Sequence, residues 1–156
     1  MSEVNFAAAA KVFNKIDAHL RAKDWKYEKD AEKFEFTYQV SGDDLPMKFV
    51  MKVDPERELI RIFSFLSFDF AEDKRIEGAV AVSVANYGMV NGSFGYDITD
   101  GTVFHKISVA YTDIEINADM INYIMGVGMA TVDKYNDRFL ALNKGYITIS
   151  DFINKE

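Results

Sequence analysis

The chemistry-bearing residues of this 156-residue chain are few and scattered. It has two histidines, His19 and His105, and no cysteine. The missing thiol excludes disulfides, thiolate nucleophiles and cysteine-ligated zinc or iron–sulfur sites. Neither histidine has a serine or an acid in a triad context, so each reads as a packed or interfacial side chain. The densest grouping is acidic. Asp97, Asp100, Asp113, Glu115 and Asp119 face one cation, Lys106; five acids less one cation leaves a local charge of −4. Such carboxylates can hold a hard cation. Their spacing fits no EF-hand loop, however, and solvated turns with a helix cap account for them more simply. Gly88, Gly92, Gly95 and Gly101 follow a helical pattern and precede a strand. That order is the reverse of a phosphate-binding loop. The chain therefore reads as a non-enzymatic protein, with no metal and no cofactor.

Bulk properties narrow the partners. A net charge of −7 weighs against nucleic acid, which requires phosphate-neutralising Lys and Arg. No apolar run approaches the length of a membrane span. The first residues lack a basic region followed by an apolar one, so no signal peptide is read. With no cysteine to oxidise, a cytoplasmic protein is expected. The length suits one domain spanning residues 1–156.

Periodicity supplies the elements. Phe6, Ala9, Phe13, Ile16 and Leu20 make one apolar stripe on a helix over about residues 3–22, with Ser2 as its N-cap. Strict alternation marks strands at Lys33–Val40 and Met47–Val53, with a turn at residues 41–44 between them. Trp25 and Tyr27 can add a short strand before them. Residues 54–57 turn the chain into Leu59–Phe68, apolar on both faces, with Ile60, Ile62 and Leu66 opposite Phe63 and Phe65. Such a strand is central and covered on both sides; its second cover is either the chain's own helix or another subunit. Asp69 or Asp73 caps a second helix whose stripe is Ile76, Val80, Val84 and Tyr87, ending at Gly88. A hairpin follows on the Asp100-Gly101 turn. Asn117 caps a third helix over about residues 118–142, in which Gly126 and Gly128 imply a close backbone approach. Ser150 caps a short terminal helix. The order is α-βββ-α-ββ-α, an α+β fold with an antiparallel sheet packed by helices.

This order is similar to that of the type III secretion chaperones. Residues 68–142 further resemble the YbjN family of bacterial proteins, which share that fold. The carrying residues are the helix ending at Asn86, the Gly92-Ser93-Phe94 entry, the Asp100-Gly101 turn, the run Ile107–Tyr111, and Ala130-Thr131-Val132-Asp133-Lys134-Tyr135 on the Asn117-capped helix. The resemblance implies a bacterial, cytoplasmic, dimeric protein-binding module with no enzymatic activity, chaperone- or adaptor-like, in a family described as regulators of sensory transduction. It transfers no catalytic residue.

Two candidate surfaces follow. Methionine and aromatic side chains make adaptable apolar surfaces, so Phe13, Phe34, Phe36, Tyr38, Phe49 and Met51 are candidates to hold a segment of an unidentified protein partner. The same residues equally suit the domain's own core. The middle helix of the related chaperones meets its copy across a two-fold axis. The resemblance thus implies a homodimer through Ile76, Val80, Ser83, Val84, Tyr87, Phe94 and Tyr96. The small residues Gly78, Ala79, Ala81, Ser83 and Ala85 would permit close approach of the two helices. The alternative function is a small-molecule or lipid carrier with a cavity between the helices and the aromatic sheet.

Overall fold

The computed structural model describes residues 3–155; the expected cap Ser2 lies outside them. The first helix, α1, runs Phe6–Ala22, and Asn5 caps it by accepting the Ala8 amide at 3.0 Å. It buries Ala9, Val12, Phe13, Ile16 and Leu20, while Phe6 points outward. The chain then forms β1 (Tyr27–Asp30), β2 (Glu35–Ser41), β3 (Pro46–Asp54) and β4 (Leu59–Asp69). The extra strand at Tyr27 is present, so the sheet has six strands.

After a 3-10 turn at Glu72–Lys74 come α2 (Arg75–Tyr87), β5 (Ser93–Asp97), β6 (Thr102–Ala110), α3 (Ala118–Asn143) and α4 (Ile149–Asn154). The α2 helix starts at Arg75, not at Asp69 or Asp73, because β4 pairs onward to Asp69↔Thr102 past a bulge. Gly88 follows α2 with φ −88°, an ordinary right-handed residue. Between α2 and β5 the left-handed glycine is Gly92, at φ 75°. Thr148, not Ser150, caps α4, in a reciprocal box with Asp151.

All pairs are antiparallel, in the spatial order β1-β2-β3-β4-β6-β5. The hairpin turn depends on Gly101. Its φ is 82°, its amide donates to Asp97 O at 2.8 Å, and its carbonyl accepts the Phe70 amide at 2.9 Å. A side chain there would lie 2.2 Å from the Phe70 carbonyl oxygen.

The helices α1, α2 and α3 lie on one face of the sheet. Under α1 and the first half of α3, Phe13 stacks on Phe36 at 4.4 Å and Tyr38 on Phe49 at 5.3 Å. A second cluster sits under α2, the end of α3, and α4, where Phe139 meets Phe70, Phe94, Tyr135 and Phe152. Each fully buried ring contributes about 1.5–3 kcal/mol of apolar transfer.

Candidate protein interface

The two expected surfaces are placed very differently. Phe13, Phe36, Tyr38, Phe49 and Met51 come together, but inside the molecule, beneath α1 and α3. The reason is geometric. Alternation in β2 and β3 turns every second residue toward the helices, Phe36, Tyr38, Phe49 and Met51 among them, and Phe13 meets them from the buried side of α1. Phe34 is half-buried and lies outside β2. It occupies the preceding turn at φ 54°, edge-on to Phe13 at 5.7 Å. Apart from the half-buried Phe34, these side chains therefore present almost no surface in the folded chain.

The rings pack directly between helices and sheet there, and a cavity of about 230 Å³ remains between α3 and the strands, lined by Met47, Ser64, Leu66, Val132 and Asn136. A β-carbon on Gly128 would lie 3.6 Å from the Phe49 ring, so this glycine does border a close neighbour. Gly126 has open space instead.

On α2 the arrangement is inverted. The buried residues are Gly78, Ala81, Val82 and Ala85. A β-carbon on Gly78 would meet the Phe70 ring and the Tyr96 hydroxyl at 2.8 Å. Gly78 thus lets α2 settle onto Phe70 and Tyr96, and Ala81 and Ala85 face the chain's own second cluster, shared with α3 and α4. The larger apolar side chains turn outward: Ile76 is 70% exposed, Val80 40% and Tyr87 96%. Ser83 is exposed between them, Val84 is half-buried, and Val90 in the following loop is fully exposed. A shallow groove of about 500 Å³ runs along Ser83, Val84, Tyr87 and Gly88. Phe94 and Tyr96 do not join this surface. Phe94 is buried edge-on against Phe139 at 5.1 Å, and the Tyr96 hydroxyl donates to the Arg75 carbonyl beneath the helix at 2.7 Å.

The Asn86–Phe94 relation has a structural reason. The Asn86 side chain accepts the Phe94 amide at 2.7 Å and donates to the Phe94 carbonyl at 3.0 Å. It thereby occupies backbone groups on the outer edge strand β5, and so blunts one site of strand addition.

The opposite face of the sheet bears no helix among the described residues. Val50, Arg61, Phe63, Phe65, Phe104 and Lys106 lie on it, by their register with one another. Phe104 and the cationic residues were not among the sequence candidates. The available signal was β4 itself, which is apolar on both faces yet covered on one.

The titratable residues behave structurally. His105 is 1% exposed, edge-on to Phe94 at 5.3 Å, and burial pushes its pKa down to about 4. His19 shares a 2.8 Å hydrogen bond with Asn122. Asp97 and Asp100 accept the amides of Thr99 and Thr102 within the hairpin turn. Glu115 pairs with Lys15 at 3.3 Å. Among the described residues, no three His, Asp or Glu side chains gather as a metal-holding group.

No sequence-family description and no curated protein matches this chain. Solved structures do. YbjN from E. coli, described as a candidate transcription regulator, superposes with a TM-score of 0.62 at 8% identity, over 86% of this chain and 92% of that one. The chain has the fold of YbjN. A chain of the HopA1–SchA chaperone–effector complex superposes at TM-score 0.53 and 14% identity, over 86% of this chain and 99% of that one. At such identities the likeness establishes the fold, the α+β architecture of YbjN and of the secretion chaperones, and neither neighbour is described as an enzyme. No helix among the described residues is long and apolar enough to cross a membrane.

Proposed function

We propose that this chain is a non-enzymatic, chaperone- or adaptor-like protein-binding module that works in the cytoplasm as a homodimer. The observation that carries the proposal is the inversion of α2. A helix that buries Gly78, Ala81 and Ala85 while exposing Ile76, Val80 and Tyr87 leaves a contiguous apolar stripe in water. Exposed apolar patches of this kind on a well-packed domain mark protein contacts. A second copy of the same helix, related by a two-fold axis, covers it with itself. Pairing there would leave the helix-free sheet face of each copy open for a partner protein. A chaperone–effector complex among the structural neighbours adds support for a protein as that partner.

The test is the solution mass of the intact protein, with Ile76→Ser/Tyr87→Ser as the paired variant. Wild type should have twice the mass of one chain, and the variant should fall to one. A wild-type protein of single-chain mass would remove the dimer from this reading.

A further inference from the structure

The helix-free face of the sheet combines partly exposed aromatic rings with cations. Along β4 it carries Phe63 and Phe65, and on β6, directly across from Phe65, Phe104. Phe65 and Phe104 meet at 5.2 Å, and Phe65 is 58% exposed. Phe104 is laid flat over the cross-strand Gly95, whose added β-carbon would fall 2.3 Å from the ring. The Phe104 ring is thus held against the sheet.

Cations surround them. Lys52 is held by Glu35 at 3.7 Å and Arg61 by Asp54 at 3.2 Å. Lys48 on β3 and Lys106 on β6 are different. Both are exposed, and neither has an ion-pair partner among the described residues. Lys106 pairs across the sheet with Phe63 and Ser93, and Lys48 with Gln39. In a chain of net charge −7, two unpaired cations therefore flank a strip of three phenylalanines.

Resting on the reading of this chain as a partner-binding module, we propose that the helix-free face docks an extended acidic peptide segment of the partner protein, its apolar side chains on Phe63, Phe65 and Phe104 and its carboxylates on Lys48 and Lys106. Lys48 and Lys106 lie on either side of β4, roughly 10–12 Å apart by strand spacing. An extended chain covers that separation in three or four residues, at about 3.3 Å each. The segment that fits thus has two acids four positions apart, an even spacing that puts both on the same side of the extended chain, with apolar residues between them. The ring faces favour a peptide over a single-stranded nucleic acid. The Arg61 guanidinium already sits 4.7 Å over the Phe63 ring and the Lys106 ammonium 6.0 Å over Phe104, where bases would have to stack. Glu28 and Asp30 on β1 and Asp97 on β5 border the face and repel a phosphate backbone that continues past it.

The probe is a fluorescein-labelled octapeptide with two glutamates four positions apart amid leucine and phenylalanine, titrated by anisotropy against the full chain. Its controls are the same peptide with lysine for glutamate and a uridine octanucleotide. The glutamate peptide should bind and the controls should not. Lys48→Glu/Lys106→Glu, with an unchanged melting temperature, should weaken binding at least tenfold, and raising salt should weaken it further. Phe65→Ser should weaken binding while the solution mass stays unchanged. No binding of the glutamate peptide, equal binding by the charge-reversed protein, or preference for the oligonucleotide would each overturn the assignment. A fall in solution mass with Phe65→Ser would overturn it too, by making this face the contact between copies. A single-chain mass for the wild-type protein with peptide binding intact would refute the proposed dimer alone.

Discussion

The helices α1 and α2 have the same kind of sequence and fold in opposite senses. Each has an apolar stripe at three- and four-residue steps, and each packs on the same sheet face. The α1 helix buries Phe13, Ile16 and Leu20; α2 buries Gly78, Ala81 and Ala85 with one larger residue, Val82, and shows Ile76, Val80 and Tyr87 to water. Space decides between the two. Beneath α1 the strands offer Phe36 and Phe49 as partners for Phe13, Ile16 and Leu20. Beneath α2, Phe70 and Tyr96 stand so close to Gly78 that a larger residue there would collide, and Ala81, Val82 and Ala85 complete the buried side. Periodicity establishes that a helix has an apolar side; the volume waiting under it establishes which side turns inward. Where the two disagree, the displaced stripe is a surface to be explained by a partner.

Substitutions can break this contrast, beginning with the largest effect. Phe36→Ala beneath α1 should cost about 3–5 kcal/mol in urea unfolding, since a fully buried ring leaves a cavity.

The two helices should also differ in their response to acid. Beneath the α2 half lies His105, whose folded pKa of about 4 is below the ordinary histidine value of 6.5. Unfolded chain takes up the proton first, so the stability from the neutral ring is full above pH 6.5 and is lost as pH falls toward 4. Between pH 7.5 and 5 the loss should be about 2 kcal/mol, and His105→Gln should abolish most of that difference. On α1, burial raises the pKa of Asp17, but hydrogen bonds from Tyr27 and Lys29 and the charges of Lys29 and Arg21 outweigh it, so it is lowered. Its contribution is present above the ordinary value of 3.8 and is lost only as pH falls through the folded value. Urea midpoints across pH separate the two windows.

Gly78→Val should destabilise by about 1–3 kcal/mol, because its side chain would press on the Phe70 ring. A neutral result would mean that α2 has room to move. Smallest of all, Ile76→Ser and Tyr87→Ser should each change the intrinsic stability of a single chain by no more than about 0.5 kcal/mol, despite removing large apolar groups. A loss of 3 kcal/mol or more there would place those side chains in a core after all.

Much of the architecture was legible. Alternation in β2 and β3, the Asp100-Gly101 turn and the Asn117 cap are local signals, and each determines its own element. The candidate surfaces were less legible, because exposure is a property of what lies opposite. Phe36 and Phe49 look as suitable for a partner as for a core, and only the placement of α1 and α3 over them decides it. The Ile76-to-Tyr87 stripe was visible, but the small residues beside it belong to the chain's own packing. Phe94 follows Gly92 in a motif whose meaning rests on a bond to Asn86, eight residues back. The cationic surround of Phe65 and Phe104 joins three strands that sequence order separates.

The most direct test of the central claim is the light-scattering mass of the purified protein at micromolar concentration, measured beside Ile76→Ser/Tyr87→Ser. The account expects twice the 17.8 kDa chain mass for wild type and one chain for the variant, both equally folded. A wild-type mass of one chain, or a dimer indifferent to the variant, would contradict it.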